Sequence, residues 1–123
     1  MPDAAPDLVV KLTSGAEALE RANQALTVAA TAVVAGLRVS LWLTGDAVWL
    51  AVPGRAEELT LPHAAPPTEL VDAVLAAGSV TVCSQCAARR ELTEADLRPG
   101  TVIRGAAAFV EEILPPQVRA IVY

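Results

Sequence analysis

Five short apolar runs punctuate the chain, and the stretches between them carry helical patterning. "DLVVKL" (Asp7–Leu12), "LRVSLWL" (Leu37–Leu43), "SVTVC" (Ser79–Cys83), "TVI" (Thr101–Ile103) and "VRAIVY" (Val118–Tyr123) read as strands. Between them lie a helix from Ala16 to about Ala35 that stops at Gly36, one or two helical turns in "AVWLAV" before Pro53-Gly54, and a helix over Thr68–Gly78. A short helix over Ser84–Arg90 and another over Gly105–Leu114 complete the set. Strands that alternate with helices build a mainly parallel sheet covered on both faces. The expectation is therefore a three-layer α/β/α domain with a five-stranded, mainly parallel sheet, flavodoxin-like in layout. A length of 123 residues fits one domain, spanning 1–123 with a loose start over residues 1–6.

Local signals sharpen the boundaries. Ser14 followed by Glu17 is a capping-box pattern at the start of the first long helix. Thr68 reads as the cap of the next one, with Gly78 as its stop. Thr93 with Asp96 caps a further turn. The segment Pro53–Pro67 holds four prolines and is too long for a simple connector, so it is expected to cover a site or an interface.

Charge and hydropathy exclude several roles. The net charge of −5 argues against nucleic acid as a partner, because affinity for phosphates comes largely from lysine and arginine. It also disfavours anionic membrane surfaces. The longest apolar run, Ala25–Leu37, is shorter than the ~20 residues a bilayer-spanning helix needs. No basic, apolar leader is visible in "MPDAAPDLVV". The cytoplasm is the expected compartment. There a cysteine pair stays reduced, and a CxxC points to catalysis or metal rather than to a structural disulfide. Only Thr27 and Thr31 are polar between Ala25 and Leu37, so the first helix is expected to show apolar surface to a neighbour, and a homo-oligomer is expected.

In parallel sheets of this kind ligands bind at the carboxyl ends of the strands. Three segments fall there: Thr13–Gly15, Thr44–Asp46 and the segment that begins at Cys83. The chain's two cysteines, Cys83 and Cys86, have CxxC spacing. Cys83 ends a strand and Cys86 falls in the first turn of the next helix. Unpaired N–H groups at a helix start favour thiolate, the nucleophilic form. Arg89 and Arg90 follow, with Arg90 at i,i+4 from Cys86, and their charge would hold an anionic persulfide. Burial of both thiols as inert packing is the alternative. A zinc site is disfavoured, since the cysteines and His63 make three ligands where structural zinc takes four. No cofactor is expected. Ser14 and Gly15 are candidates to bind an anion at a helix start. Thr44, Gly45, Asp46 and Trp49 would form the rim of the site. Asp46 could act as a base or as a helix cap, whereas Trp42 reads as core.

Four stretches together resemble the DsrE/DsrF-like sulfur-relay family: "VVKLTSG", "LWLTGDAVWLA", "VTVCSQCAARRELTEADL" and "GTVIRGAAAFVEEIL". The resemblance runs from about Leu8 to Val122. It implies the DsrE-like fold and assembly into dimers, trimers or hexamers. In the family a cysteine that ends the third strand accepts a persulfide and passes it along a relay of donor and acceptor proteins, and Cys83 occupies that position. Arg89 and Arg90 match the pair of basic residues that follows it. Where the family often continues with glycine, this chain has Glu91. Cys86 does not match the relay cysteine, and related members without a known relay role carry a CxxC-like pair. The reading is therefore sulfur carriage on Cys83 in a possible sulfurtransferase, with Cys86 able to resolve the persulfide. The alternatives are a non-catalytic binding or regulatory subunit and a thiol–disulfide redox protein.

Overall fold

The computed structural model describes residues 5–123, so most of the loose start expected over residues 1–6 lies outside the described residues. Five strands form one sheet: β1 (Leu8–Leu12), β2 (Val39–Leu43), β3 (Ser79–Cys83), β4 (Val102–Arg104) and β5 (Arg119–Val122). Their order is β4-β3-β2-β1-β5 and every neighbouring pair is parallel. The helices are α1 (Leu19–Val34), α2 (Pro67–Ala77), α3 (Ser84–Arg89) and α4 (Ala106–Ile113). This is the α/β architecture expected from the alternation of strand and helix. No helix among the described residues is long and apolar enough to cross a membrane.

The two faces of the sheet bury different chemistry, because alternate residues of a strand point to opposite sides. Leu8, Val10, Leu12, Leu41, Leu43, Val80 and Val82 point to one face and pack under α1 and α2. Val9, Lys11, Ser40, Trp42 and Thr81 point to the other, where α4 crosses from one edge of the sheet to the other. Trp42 meets Phe109 of α4 edge to face, with ring centroids 5.3 Å apart, and its indole N–H donates to Glu112 Oε1 at 3.0 Å. The core place expected for Trp42 is thus correct, but its neighbours are aromatic and polar.

Several boundaries differ from expectation for identifiable reasons. Ser14 does not cap a helix. Its hydroxyl is buried without a hydrogen-bond partner, and the carboxylate of Glu17 instead accepts from the Gly15 N–H at 2.6 Å. A 3-10 turn over Ala16–Ala18 follows, and α1 starts only at Leu19. Thr68 is not the cap of α2 either; Pro66 holds that place, with Pro67 at the first helical position, where a missing N–H costs nothing. The Thr93–Asp96 capping box is present as expected. The alanines of α1 are absorbed inside the chain: Ala22, Ala25, Ala29, Ala30 and Ala32 are buried, and their small side chains let α1 lie close to β1 and α2. The alanine-rich surface expected for a partner is therefore largely an internal one. The exposed apolar side chains lie elsewhere, at Val34, Leu37, Val110, Leu114, Ile121 and Val122.

The proline-rich stretch holds a 3-10 turn over Ala56–Glu58. Arg98 ties it down by pairing with Glu57 at 3.5 Å and Asp72 at 2.5 Å. His63 in this stretch is exposed.

Candidate functional site

The three segments expected at the carboxyl ends of β1, β2 and β3 do come together. The first two touch backbone to backbone, and glycine makes this possible. A Cβ on Gly15 would stand 2.5 Å from the Asp46 carbonyl oxygen, and one on Gly45 2.8 Å from that of Thr13. Gly45 also has a φ of +54°, which a side chain disfavours. So Gly15 and Gly45 serve close packing of the loops. The anion position expected at Ser14 and Gly15 is filled by the chain's own Glu17 carboxylate.

The third segment is bound to this platform through Cys86. Gly45 N–H donates to Cys86 Sγ at 3.1 Å. Arg90 donates to the Cys86 carbonyl at 3.1 Å and forms an ion pair with Asp46 at 2.6 Å. Asp46 is therefore neither a free base nor a cap but the anchor of Arg90. Thr44 turns its hydroxyl back to the Leu12 carbonyl at 3.2 Å. Trp49 sits half-buried on the same side of the fold, with the Arg55 guanidinium 4.1 Å above its ring.

Cys83 and Cys86 are both free thiols with unequal settings: Cys86 is buried and Cys83 half-buried. Burial pushes the Cys83 thiol up. The N–H of Cys86, the Cys86 side chain and the N–H of Gln85 all donate toward its sulfur and, with the charge of Lys11, more than offset burial. The net effect holds Cys83 below the ordinary thiol range. Gly45, Cys86 and Cys83 thus form a chain of donors: the Gly45 N–H feeds the Cys86 sulfur, and the Cys86 thiol feeds Cys83.

The cations expected to serve Cys83 are differently arranged. Arg90 is engaged by Asp46 and the Cys86 carbonyl. Arg89 is exposed at the end of α3, with no ion pair among the described residues. The cation that acts on Cys83 is Lys11, the only lysine in the chain. Its ammonium lies 4.9 Å from the centroid of Phe109, below α4. The sequence carried one signal for it: a lysine in a strand otherwise buried end to end, on the face that alternation shares with Cys83.

The family's glycine position after the basic pair is also explained. Glu91 adopts a φ of +56°, so the turn that leaves α3 keeps the left-handed shape that glycine takes without strain. Among the described residues no three histidine, cysteine or acidic side chains cluster as a metal site would require.

Comparison with known proteins agrees with this architecture. The DsrE/DsrF-like family matches residues 7–116, and the chain belongs to that family. Membership supports a sulfur-relay type of protein at the level of the family. Two solved structures share the fold. The ychN protein from E. coli is 17% identical, with 94% of this chain and 97% of that one covered and a TM-score of 0.78. The protein of unknown function MTH1491 from Methanobacterium thermoautotrophicum is 12% identical, with the same coverage and a TM-score of 0.71. No curated protein sequence matches the chain.

Proposed function

We propose that this protein carries sulfur as a persulfide on Cys83 within an intracellular relay. The observation that carries the reading is the setting of Cys83: a half-buried thiol at the carboxyl edge of the sheet, served by donors from the first turn of α3 and from Cys86. A thiolate so held attacks the outer sulfur of a donor persulfide, R–S–SH. The bond from Cys83 sulfur to that outer sulfur forms as the donor's S–S bond breaks. The electron pair of the broken bond leaves on R–S⁻, and the proton of the outer sulfur passes to solvent. Cys83 then bears Cys–S–S⁻, and the same donors serve the displaced negative charge. No outside oxidant is required.

In this reading Cys86 is a hydrogen-bond donor to Cys83, and Arg90 with Asp46 holds the helix that presents both. Protein incubated with a persulfide donor should gain the mass of one sulfur. The gain should vanish in Cys83→Ala and persist in Cys86→Ala. Absence of any gain in the wild type with every donor would remove the proposal.

The hydrogen bond between the two thiols favours one second reading, a thiol–disulfide redox protein that uses both. That reading requires a reversible Cys83–Cys86 disulfide after mild oxidation. If both thiols remain alkylatable, it fails.

The working unit is proposed to be a homo-oligomer. Val110, Leu114, Ile121 and Val122 form exposed apolar positions on α4 and on edge strand β5, whose residues are all exposed. Light scattering that reports a monomer at micromolar concentration would overturn this.

A further inference from the structure

The second face of the sheet is incompletely covered. Beside α4 a groove of about 590 Å³ is left open over β2, β3 and β4, within the roughly 300–1,000 Å³ of small-molecule sites. Ser40 and Thr81 contribute to its floor, Arg104 closes one end, and Ala108 and Glu111 of α4 form a wall. The groove leads to the reactive thiol. Arg104 is the register partner of Cys83 across the β3–β4 pair, and Thr81 precedes Cys83 by one step on the same face.

Three features suit this groove to a polar small molecule and not to a subunit. The Ser40 hydroxyl is buried with no hydrogen-bond partner, a costly state unless something reaches it. Arg104 and Glu111 form no ion pair among the described residues, so one cation and one anion stand unpaired around the same space. The exposed apolar residues of α4, Val110 and Leu114, stand one helical turn apart on a separate stripe from Ala108 and Glu111.

We infer that this groove binds a small zwitterionic, amino-acid-like thiol compound, which exchanges sulfur with Cys83. Its carboxylate pairs with Arg104 and its ammonium with Glu111, and the sulfur end lies toward Cys83. In its persulfide form the ligand is the R–S–SH of the transfer step above. As its thiolate it is the leaving group or, in reverse, the acceptor. The inference rests on the persulfide-carrier reading for the role of the ligand, but the binding itself does not.

The test uses Cys83→Ser protein and thioethers, which cannot form disulfides. Calorimetry should show saturable one-to-one binding of S-methyl-L-cysteine. The analogues without the ammonium, 3-(methylthio)propionate, or without the carboxylate, 2-(methylthio)ethylamine, should each bind about tenfold more weakly, as expected when one charged contact is lost. Arg104→Gln and Ala108→Trp should weaken S-methyl-L-cysteine to a similar degree, and Arg104→Lys should restore part of the loss. No saturable binding, equal binding of the three probes, or insensitivity to Ala108→Trp overturns the proposal. Sulfur loading of the wild type from inorganic polysulfide, which has no group for Arg104 or Glu111, reports on Cys83 separately. Loading without thioether binding overturns the groove alone. Binding without loading overturns the carrier reading and, with it, the exchange role given to the ligand.

Discussion

The two faces of one sheet have been put to opposite uses. On the face under α1 and α2, Leu8, Val10, Leu12, Leu41, Leu43, Val80 and Val82 are all aliphatic and all buried. On the face under α4, the same strands present Lys11, Ser40, Trp42, Thr81 and Cys83. The first face has two helices to seal it and supplies the apolar burial that holds the fold together. The second has one helix of eight residues, none of them buried, and keeps polar groups where a ligand can meet them. A strand of five residues can do both tasks because its side chains alternate. The lesson is that the chemistry of this protein lies on its less well-sealed side.

That contrast can be broken by substitution. The largest effect is expected at Leu41, which is fully buried on the first face: Leu41→Ala should cost about 2–5 kcal/mol in denaturant unfolding. A cost well under that range would mean the first face is not the stabilising one. Next comes the second face acting on Cys83. Because Lys11 helps to hold the Cys83 thiol low, Lys11→Met should raise the pH at which alkylation of Cys83 is half-maximal, while Lys11→Arg should leave it near the wild type. An unchanged profile in Lys11→Met would detach Lys11 from the site. Cys86→Ala should move the same profile in the same direction, since it removes a donor to the thiolate.

Smaller effects follow. Glu91→Gly relieves a left-handed residue and should stabilise the chain by up to about 1 kcal/mol, with sulfur loading unaltered. Ser40→Ala, which deletes an unpartnered buried hydroxyl, should stay within about 1 kcal/mol of the wild type or gain stability. A loss as large as that of Leu41→Ala would show that Ser40 bears on folding and not on a ligand.

Much of the fold was legible in the chain. β3 falls over Ser79–Cys83 as read, and the other strands lie within two residues of their expected bounds, because β-branched runs bracketed by turn residues leave few other choices. Helix starts were harder to read. Ser14 and Thr68 have the right side chains to cap, yet Glu17 and Pro66-Pro67 hold those starts. At the site, sequence position identified Cys83, Cys86 and the loops at Gly15 and Gly45. It misassigned the cations, since adjacency along α3 favoured Arg89 and Arg90 whereas the strand face brings Lys11.

By itself the sequence determined the order of strands and helices, the parallel sheet that follows from it, and the position of Cys83 at a strand end beside a helix start. These are local properties, set by periodicity, turn chemistry and the dipoles of a few neighbouring peptides. Only the tertiary structure decided that Gly45 donates to Cys86, that Asp46 captures Arg90, and that Lys11 serves the thiol. Each of these joins residues more than thirty positions apart. Such pairings are selected when the whole sheet closes, because burial of the first face sets the register that brings the second face together.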